Sequence, residues 1–182
     1  MATGPSYIQY TAFYAEVEAA SGISRAARDV AVGTPPSLAT AVGVPTLRAL
    51  STAFYTRVFA ADTPPAFRGL FANVTATEAA ARQSDYLIEA LGGPPVFTAS
   101  RGAAALLGRH APYAVGEAGA AVWLRLMADA VAEVVVGGED AAALASRLMV
   151  FFRWTAWYIV LGRGLVNPCR VVGYRAKHDG GA

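Results

Sequence analysis

The stretch from Leu91 to Trp123, which decides the fold, reads LGGPPVFTASRGAAALLGRHAPYAVGEAGAAVW. Within it, His110 follows an alanine-rich run and is one of only 2 histidines in the chain. The other, His178, lies in a polar segment near the end of the sequence. A lone imidazole in an apolar stretch is either a core histidine with hydrogen-bonded nitrogens or an axial ligand of a metal. On its own the pattern favours the core histidine, so the surrounding residues must decide between the two interpretations.

The composition is that of one compact domain. The chain has 182 residues, of which 55% are hydrophobic and 15% charged, and its mean hydropathy is +0.38. A charged fraction below the roughly 25% of average soluble domains indicates that part of the surface contacts something other than water. The formal net charge is only +2 and the basic residues are scattered. We therefore expect no nucleic-acid partner, because such proteins carry a basic face or interleaved aromatic and basic residues.

The cysteine content and the hydropathy of the chain indicate which kinds of site and which cellular location to expect. Cys169 is the single cysteine, which excludes an intrachain disulfide and any paired-cysteine metal or redox motif. The N-terminus lacks a basic region followed by an apolar one, so no secretory signal is predicted. The most apolar run, Met149 to Leu161, is interrupted by Arg153 and is shorter than the roughly 20 residues that span a bilayer. We expect a cytoplasmic protein that is not an integral membrane protein; the alternative is an organellar protein within a membrane-associated complex.

Helices are predicted for nearly the whole chain, because alanine is abundant and the breaks fall at glycine and proline. Residues 1–35 are expected to form an amphipathic helical extension, residues 36–166 the main domain, and residues 167–182 a tail of no assigned structure. Within the main domain, Thr75 or Thr77 is placed to cap a helix. The apolar stripe of the extension consists of Tyr7, Tyr10, Phe13, Tyr14 and Val17.

Two long helices are predicted near the C-terminus, over Gly116–Val136 and Glu139–Leu161. The second is apolar on almost every side, which is typical of a helix that is buried on most sides. One of its faces belongs against the core, and the other needs a partner. Either the aromatic extension of residues 1–35 or a separate protein would supply that partner.

Several short motifs stand in a consistent order over about Ser37 to Val166, with a short insertion near Thr63-Pro64-Pro65. They are the Gly92-Gly93-Pro94-Pro95 turn, Arg101-Gly102, the run Arg109-His110-Ala111-Pro112-Tyr113, Trp123 downstream of the histidine, and the upstream pairs Phe54-Tyr55 and Leu70-Phe71. Taken together and nearly in register, these motifs resemble the group II truncated haemoglobins. The resemblance implies an all-α fold, the two-over-two helical sandwich of the truncated globins, with an added N-terminal amphipathic helix.

The resemblance also implies a haem b cofactor whose iron is ligated by His110. The other imidazole nitrogen should then donate to a backbone carbonyl or a similar acceptor, which fixes the tautomer. On the opposite face of the haem, Tyr55 and Trp123 take the role of hydrogen-bond donors to a bound ligand. Gln83 is a third candidate, one helical turn after Ala79, which stands where a distal histidine is common and cannot donate. The alternative for Tyr55 and Trp123 is an ordinary core aromatic, and for Gln83 a solvated surface residue.

Apolar walls and propionate partners complete the expected haem site. Phe71 should pack flat against the haem, and Arg109 and Arg101 are the expected propionate partners; the alternative for Arg101 is a solvated arginine. The chain departs from the family at Ala103-Ala104-Ala105, where a His-Pro pair and a basic residue are usual, and at Phe97, where tyrosine is common. Both departures remove polar groups near the propionates, so haem should be held more loosely or with help from a partner surface. The other expected wall residues are Phe54, Tyr86, Leu87, Phe97, Leu106, Leu107, Val115 and Met127.

Function follows from this set of donors. Three donors around one small ligand favour tight binding of dioxygen or another diatomic ligand over bulk transport. The family resemblance also implies nitric oxide dioxygenation or peroxide chemistry, but no residue identifies an electron donor, so enzymatic activity is left open. The alternative is a globin-fold structural or accessory subunit of a larger assembly, membrane-associated or not. Residues 1–35, the apolar last helix and the low charge motivate that alternative.

Overall fold

The predicted helical fold is confirmed in the computed structural model, which describes residues 7–137 and 140–165. Those ranges contain α-helices and short 3-10 helices, and no β-strand. The predicted tail, residues 167–182, lies outside them, and His178 and Cys169 with it. The helices are α1 (Tyr7–Ser21), α2 (Arg25–Gly33), α3 (Leu38–Val42), α4 (Val44–Val58), α5 (Pro65–Arg68), α6 (Ala76–Ala90), α7 (Val96–Arg101), α8 (Leu106–His110), α9 (Glu117–Val134) and α10 (Ala141–Gly162), with 3-10 helices at Gly69–Phe71 and Arg163–Leu165.

Four long helices form the two-over-two sandwich. Helix α4 packs against α6, α9 packs against α10, and α4 also contacts α9 across the two pairs. The apolar face of α4 lies in the centre of this core, where Leu47, Leu50, Phe54 and Val58 are all 0% exposed. Burying a side chain of this size contributes about 1.5–3 kcal/mol, so the face of α4 is a main source of the stability of the domain.

Helix α6, which carries two of the predicted distal residues, begins at a capping box. The hydroxyl of Thr75 accepts a hydrogen bond from the backbone N–H of Glu78, whose carboxylate in turn accepts one from the backbone N–H of Thr75 at 3.0 Å. Two N–H groups that the first turn leaves unpaired are thereby satisfied. Of the two caps that the sequence allowed, Thr75 is the one used.

The Gly92-Gly93 turn ends α6 in a tight contact with the preceding helices. Gly92 has a φ of +90°, in the left-handed region that favours glycine. A Cβ atom on Gly93 would lie 2.6 Å from the carbonyl oxygen of Ile88 and 3.2 Å from the Cβ of Ala39. Glycine is therefore required at position 93 by the close approach of α3 and of the backbone of α6.

We expect Gly93→Ala to lower the free energy of unfolding by about 1–3 kcal/mol, because the new methyl group overpacks a site bounded by backbone. Gly33→Ala is the matched control, since a Cβ atom there meets nothing within 4 Å. Chemical denaturation followed by far-UV circular dichroism measures both. Equal unfolding midpoints for the two variants would contradict the packing argument.

The N-terminal extension forms two helices, both of which pack on α10. They separate at Gly22, where φ is +67°, and Ser24 caps the second by accepting from the backbone N–H of Ala27 at 3.1 Å. Phe13 and Val17 of the predicted stripe are buried, whereas Tyr10 of the same stripe is 41% exposed.

Helix α10 receives its second partner from within the chain. Phe13, Val17 and Trp154 form a small apolar cluster separate from the main core. Arg153 also donates from Nη2 to the carbonyl of Ser21 at 2.8 Å, and Arg147 donates from Nε to that of Ala31 at 2.9 Å. The face that the sequence left without a partner is thus covered by α1 and α2.

In the part of the chain that the structure describes, one helix, Ala141–Gly162, is long and apolar enough to cross a membrane by length and composition alone. A core helix of a globular protein has the same properties. Here the helix contacts α1, α2, α3, α8 and α9, which cover part of its apolar surface.

Candidate functional site

His110 is presented at the end of α8 with its tautomer set by the backbone. Its Nδ1 lies 2.8 Å from the carbonyl oxygen of Leu106, one helical turn earlier. A carbonyl only accepts, so Nδ1 carries the proton and Nε2 keeps the lone pair that a metal ion binds. The backbone acceptor expected for a histidine ligand is therefore present, and Nε2 is the atom available for iron.

The surroundings keep this imidazole neutral. Burial lowers the pKa of His110 below its ordinary value of 6.5, and the nearby positive charge of Arg109 acts in the same direction. The hydrogen bond to Leu106 opposes these effects without cancelling them. Because only the neutral imidazole ligates a metal, the site retains a competent ligand below the pH at which a solvated histidine protonates.

In a proton NMR titration of the haem-free chain, we expect one histidine C2–H resonance with a midpoint below 6.5, and His110→Ala should remove that resonance. The unfolded chain binds this proton more readily than the folded chain does. The free energy of unfolding should therefore fall as the pH drops from 6.5 toward the pKa of folded His110. A midpoint at or above 6.5 would contradict the burial of the ring.

Aromatic side chains from three elements surround the predicted distal position. The ring of Tyr55, on α4, stands edge-on to Phe54 at 5.0 Å and to Phe71 at 5.7 Å between centroids. Phe54 in turn contacts Trp123, on α9, at 5.6 Å. The structure thus brings together four residues that the sequence predicted for one pocket from positions far apart in the chain.

The Tyr55 hydroxyl is held in its protonated form. Burial raises its pKa well above the ordinary 10.0, and the positive charge of Arg82 only partly offsets this. A protonated phenol is a hydrogen-bond donor across the physiological range. Sequence reasoning missed Arg82, although it adjoins Gln83 on α6; its position three residues after Ala79 was the available signal.

Gln83 carries a polar atom for which the protein provides no partner. Its Oε1 is buried and makes no hydrogen bond, while Ala79, one turn earlier on α6, is 5% exposed. An unpaired buried polar group costs about 1–3 kcal/mol. The side chain therefore fits a site that receives a polar ligand, and the interpretation of Gln83 as a solvated surface residue is wrong for Oε1.

Ser51, a polar residue of α4, was also missed by the sequence analysis. It is 0% exposed, its hydroxyl has no hydrogen-bond partner, and it lies one helical turn before Tyr55. A serine on an apolar helix face gives no signal in the sequence, because it fits the spacing of the buried positions without marking a function.

The two arginines predicted as propionate partners differ in their surroundings. Arg109 donates from Nε to the carbonyl of Ala104 at 3.0 Å and from Nη2 to that of Arg101 at 2.9 Å, and its guanidinium lies 5.1 Å from the Phe97 ring centroid. It therefore holds the loop before α8. Arg101 has a buried Nε without an acceptor, which fits an anionic partner. The propionate role of both residues stays a prediction.

The predicted wall residues divide between two sides of α8. Leu87 and Met127 are buried in the main core, and Val115 and Leu106 are half-buried. Leu107, predicted as a wall, packs instead in the cluster with Phe13 and Trp154. Leu106, the residue before it, lies beside Trp154 as well.

A metal at His110 would depend on ligands from outside the protein. Within residues 7–137 and 140–165, no group of three or more His, Cys, Asp or Glu side chains could hold a metal ion. A macrocycle with a single axial protein ligand meets this condition, because the porphyrin supplies the other iron ligands. With the orphaned Oε1 of Gln83 and the set tautomer of His110, the residues present fit a haem.

Comparisons with known proteins find globins, and among them truncated haemoglobins. A family model described as bacterial-like globin matches residues 37–156. Two-on-two hemoglobin-3 from Arabidopsis thaliana is 36% identical over 126 residues, which are 69% of this chain and 70% of that protein. Group 2 truncated hemoglobin 3-1 from Lotus japonicus is 37% identical over 134 residues, which are 71% of this chain and 77% of that protein.

Solved structures of truncated haemoglobins also have a fold similar to that of this chain. The truncated oxygen-avid haemoglobin from Bacillus subtilis superposes with a TM-score of 0.59 at 32% identity, over 68% of this chain and 98% of that one. The group II truncated haemoglobin from Bacillus anthracis gives a TM-score of 0.60 at 26% identity, over 70% of this chain and 92% of that one.

Proposed function

This chain belongs to the bacterial-like globin family, the truncated haemoglobins, and we propose that it binds haem b through Nε2 of His110 and holds dioxygen or another diatomic ligand beside Tyr55. The observation that carries the proposal is the 2.8 Å hydrogen bond from Nδ1 of His110 to the Leu106 carbonyl. It orients the ring and leaves the opposite nitrogen as the ligand. When bound, the haem supplies an iron with an open position for a small ligand.

The chain's own residues would determine how long the ligand stays. Tyr55 offers a protonated hydroxyl and Trp123 an indole N–H that is donor-only, and the amide NH₂ of Gln83 is the third donor group. A hydrogen bond to a charged acceptor is worth about 1.5–3 kcal/mol. Donors of this kind around a ligand with partial negative charge therefore favour slow release. One similar solved protein, that from Bacillus subtilis, is described as oxygen-avid.

The proposal stops at ligand binding. Dioxygenation of nitric oxide or peroxide chemistry would need a reductant, and no described residue is assigned to deliver electrons. An accessory role in a larger assembly is less well supported than the sequence suggested, because α1 and α2 cover the apolar face that motivated it. We propose a cytoplasmic location on the sequence argument given above.

Titration of the purified full chain with haemin tests the cofactor directly. We expect a Soret band distinct from that of free haemin, with an amplitude that saturates at one haemin per chain. Dithionite reduction followed by addition of carbon monoxide should then shift this band. Such a shift is expected when the sixth coordination position of the iron is open or holds a ligand that carbon monoxide can displace. A chain that stays colourless after haemin addition and desalting would overturn the proposal.

A further inference from the structure

A cavity of about 350 Å³ lies between the N-terminal extension and α10. Its volume falls within the roughly 300–1,000 Å³ of small-molecule sites in proteins. Five helices contribute to it, so it exists only because the extension docks on the globin body. The lining residues that matter below are Tyr14 of α1, Arg25 and Arg28 of α2, Tyr86 of α6, Leu106 of α8 and Trp154 of α10.

Two hydrogen-bond donors at this cavity have no acceptor. Trp154 is 7% exposed, and its Nε1 is buried without a partner. The Nε of Arg28 is buried without a partner as well. Buried N–H groups are nearly always paired, and both residues line the same space. Two unpaired buried donors on residues of one cavity favour a ligand that accepts hydrogen bonds.

The guanidinium of Arg28 is held in place on its other sides. It lies 5.2 Å from the Trp154 ring centroid and 5.6 Å from that of Phe151. Its Nη1 donates to the carboxylate of Asp29 at 2.7 Å. Stacking and ion pairing fix the plane of this guanidinium, which belongs to the cavity lining and suits a carboxylate or phosphate as its partner.

The net charge of the cavity lining is positive, as is the charge of Arg28. Arg25 lies 5.1 Å from the Tyr14 ring centroid, so the lining holds two guanidinium groups against the single carboxylate of Asp29. The remaining titratable lining residues are tyrosines, which add hydroxyl groups and no charge. An anion is therefore attracted and a cation is not.

We propose that this cavity binds the carboxylate or phosphate group of a small anionic molecule, with Arg28 and the indole N–H of Trp154 as the recognising groups. Two of its lining residues, Tyr86 and Leu106, are also expected wall residues of the haem site. Leu106 lines the cavity, and its carbonyl is the acceptor for Nδ1 of His110. An occupied cavity would thus act on the residue that orients the iron ligand; this consequence, unlike the binding itself, rests on the proposed function.

Isothermal titration calorimetry of the full chain tests the binding, with sodium phosphate and sodium benzoate as probes at constant ionic strength set by sodium chloride. We expect one saturable site per chain for at least one probe. Arg28→Gln should weaken it at least about tenfold, because a charge-assisted bidentate contact is lost. Arg125→Gln is the matched control, since Arg125 is an exposed arginine on α9 that does not line the cavity. No saturable binding of either probe at millimolar concentration, or equal loss in both variants, would overturn the proposal.

Two further variants keep the test informative if Arg28→Gln fails to fold. Asp29→Asn removes the acceptor that competes for Arg28, and Asp29 is 52% exposed, so the fold should tolerate it. We expect tighter anion binding in this variant, whereas weaker binding would contradict the site. Trp154→Phe keeps an aromatic side chain but removes the N–H with the five-membered ring of the indole, and it should weaken binding by roughly threefold to tenfold. Because all these titrations need no haem, their failure is distinguishable from failure of the proposed haem site.

Discussion

His110→Ala should abolish the Soret band that the wild-type chain develops with one equivalent of haemin. His110 is the histidine whose Nε2 is free while its Nδ1 is held by the Leu106 carbonyl. Loss of a group that merely orients a metal ligand costs roughly 10- to 100-fold in affinity. Loss of the ligand itself should therefore weaken haemin binding by more than this, which absorbance titration in the Soret region measures.

A control and a rescue separate ligation from misfolding. His178→Ala removes the other histidine, which lies outside the described residues, and should leave the Soret band unchanged. His110→Gly with added imidazole should recover a Soret band, because free imidazole enters the space of the lost ring and supplies the same nitrogen. A His110→Ala chain that binds haemin with wild-type affinity would refute the assignment.

Tyr55→Phe should raise the dissociation rate of dioxygen from the haem-loaded chain by about tenfold or more. The hydroxyl is protonated because burial raises its pKa, and a hydrogen bond to a charged acceptor is worth about 1.5–3 kcal/mol. The substitution keeps the ring that contacts Phe54 and Phe71, so the fold should be retained. Stopped-flow displacement of dioxygen by carbon monoxide measures the rate.

The matched control for this prediction is Tyr10→Phe, which removes a hydroxyl from an exposed residue of α1 and should leave the rate unchanged. Carbon monoxide dissociation should respond less than dioxygen dissociation to Tyr55→Phe, since carbon monoxide carries less negative charge. If the dioxygen rate stays within about twofold of wild type, below the factor that one such hydrogen bond supplies, Tyr55 is not the donor.

Local patterns predicted the elements of the globin body well. The buried face of α4 followed from the spacing of Leu47, Leu50, Phe54 and Val58, all of which are fully buried. The start of α6 followed from a threonine placed to cap the helix, and of the two candidates the structure uses Thr75. Both depend on interactions within one or two helical turns, which sequence spacing determines directly.

Contacts between distant parts of the chain were harder to predict. The stripe of α1 indicated that a face would be buried, but only the docking on α10 shows that Phe13 and Val17 lie inside while Tyr10 lies outside. The same docking creates the cavity at Arg28 and leaves the Trp154 indole unpaired. Periodicity identifies an apolar face, yet it does not identify which neighbour covers it or at what rotation.

By itself, then, the sequence determined the class of fold and the order of the helices, and it indicated the histidine that we propose as the iron ligand, because these follow from short-range spacing and from motifs in a shared order. The tertiary structure decided the partners of each side chain. It showed that the Leu106 carbonyl holds His110, that Oε1 of Gln83 is orphaned, and that α1 and α2 cover α10. These depend on packing between residues far apart in the chain, where burial and the loss of solvent determine which polar groups find a partner.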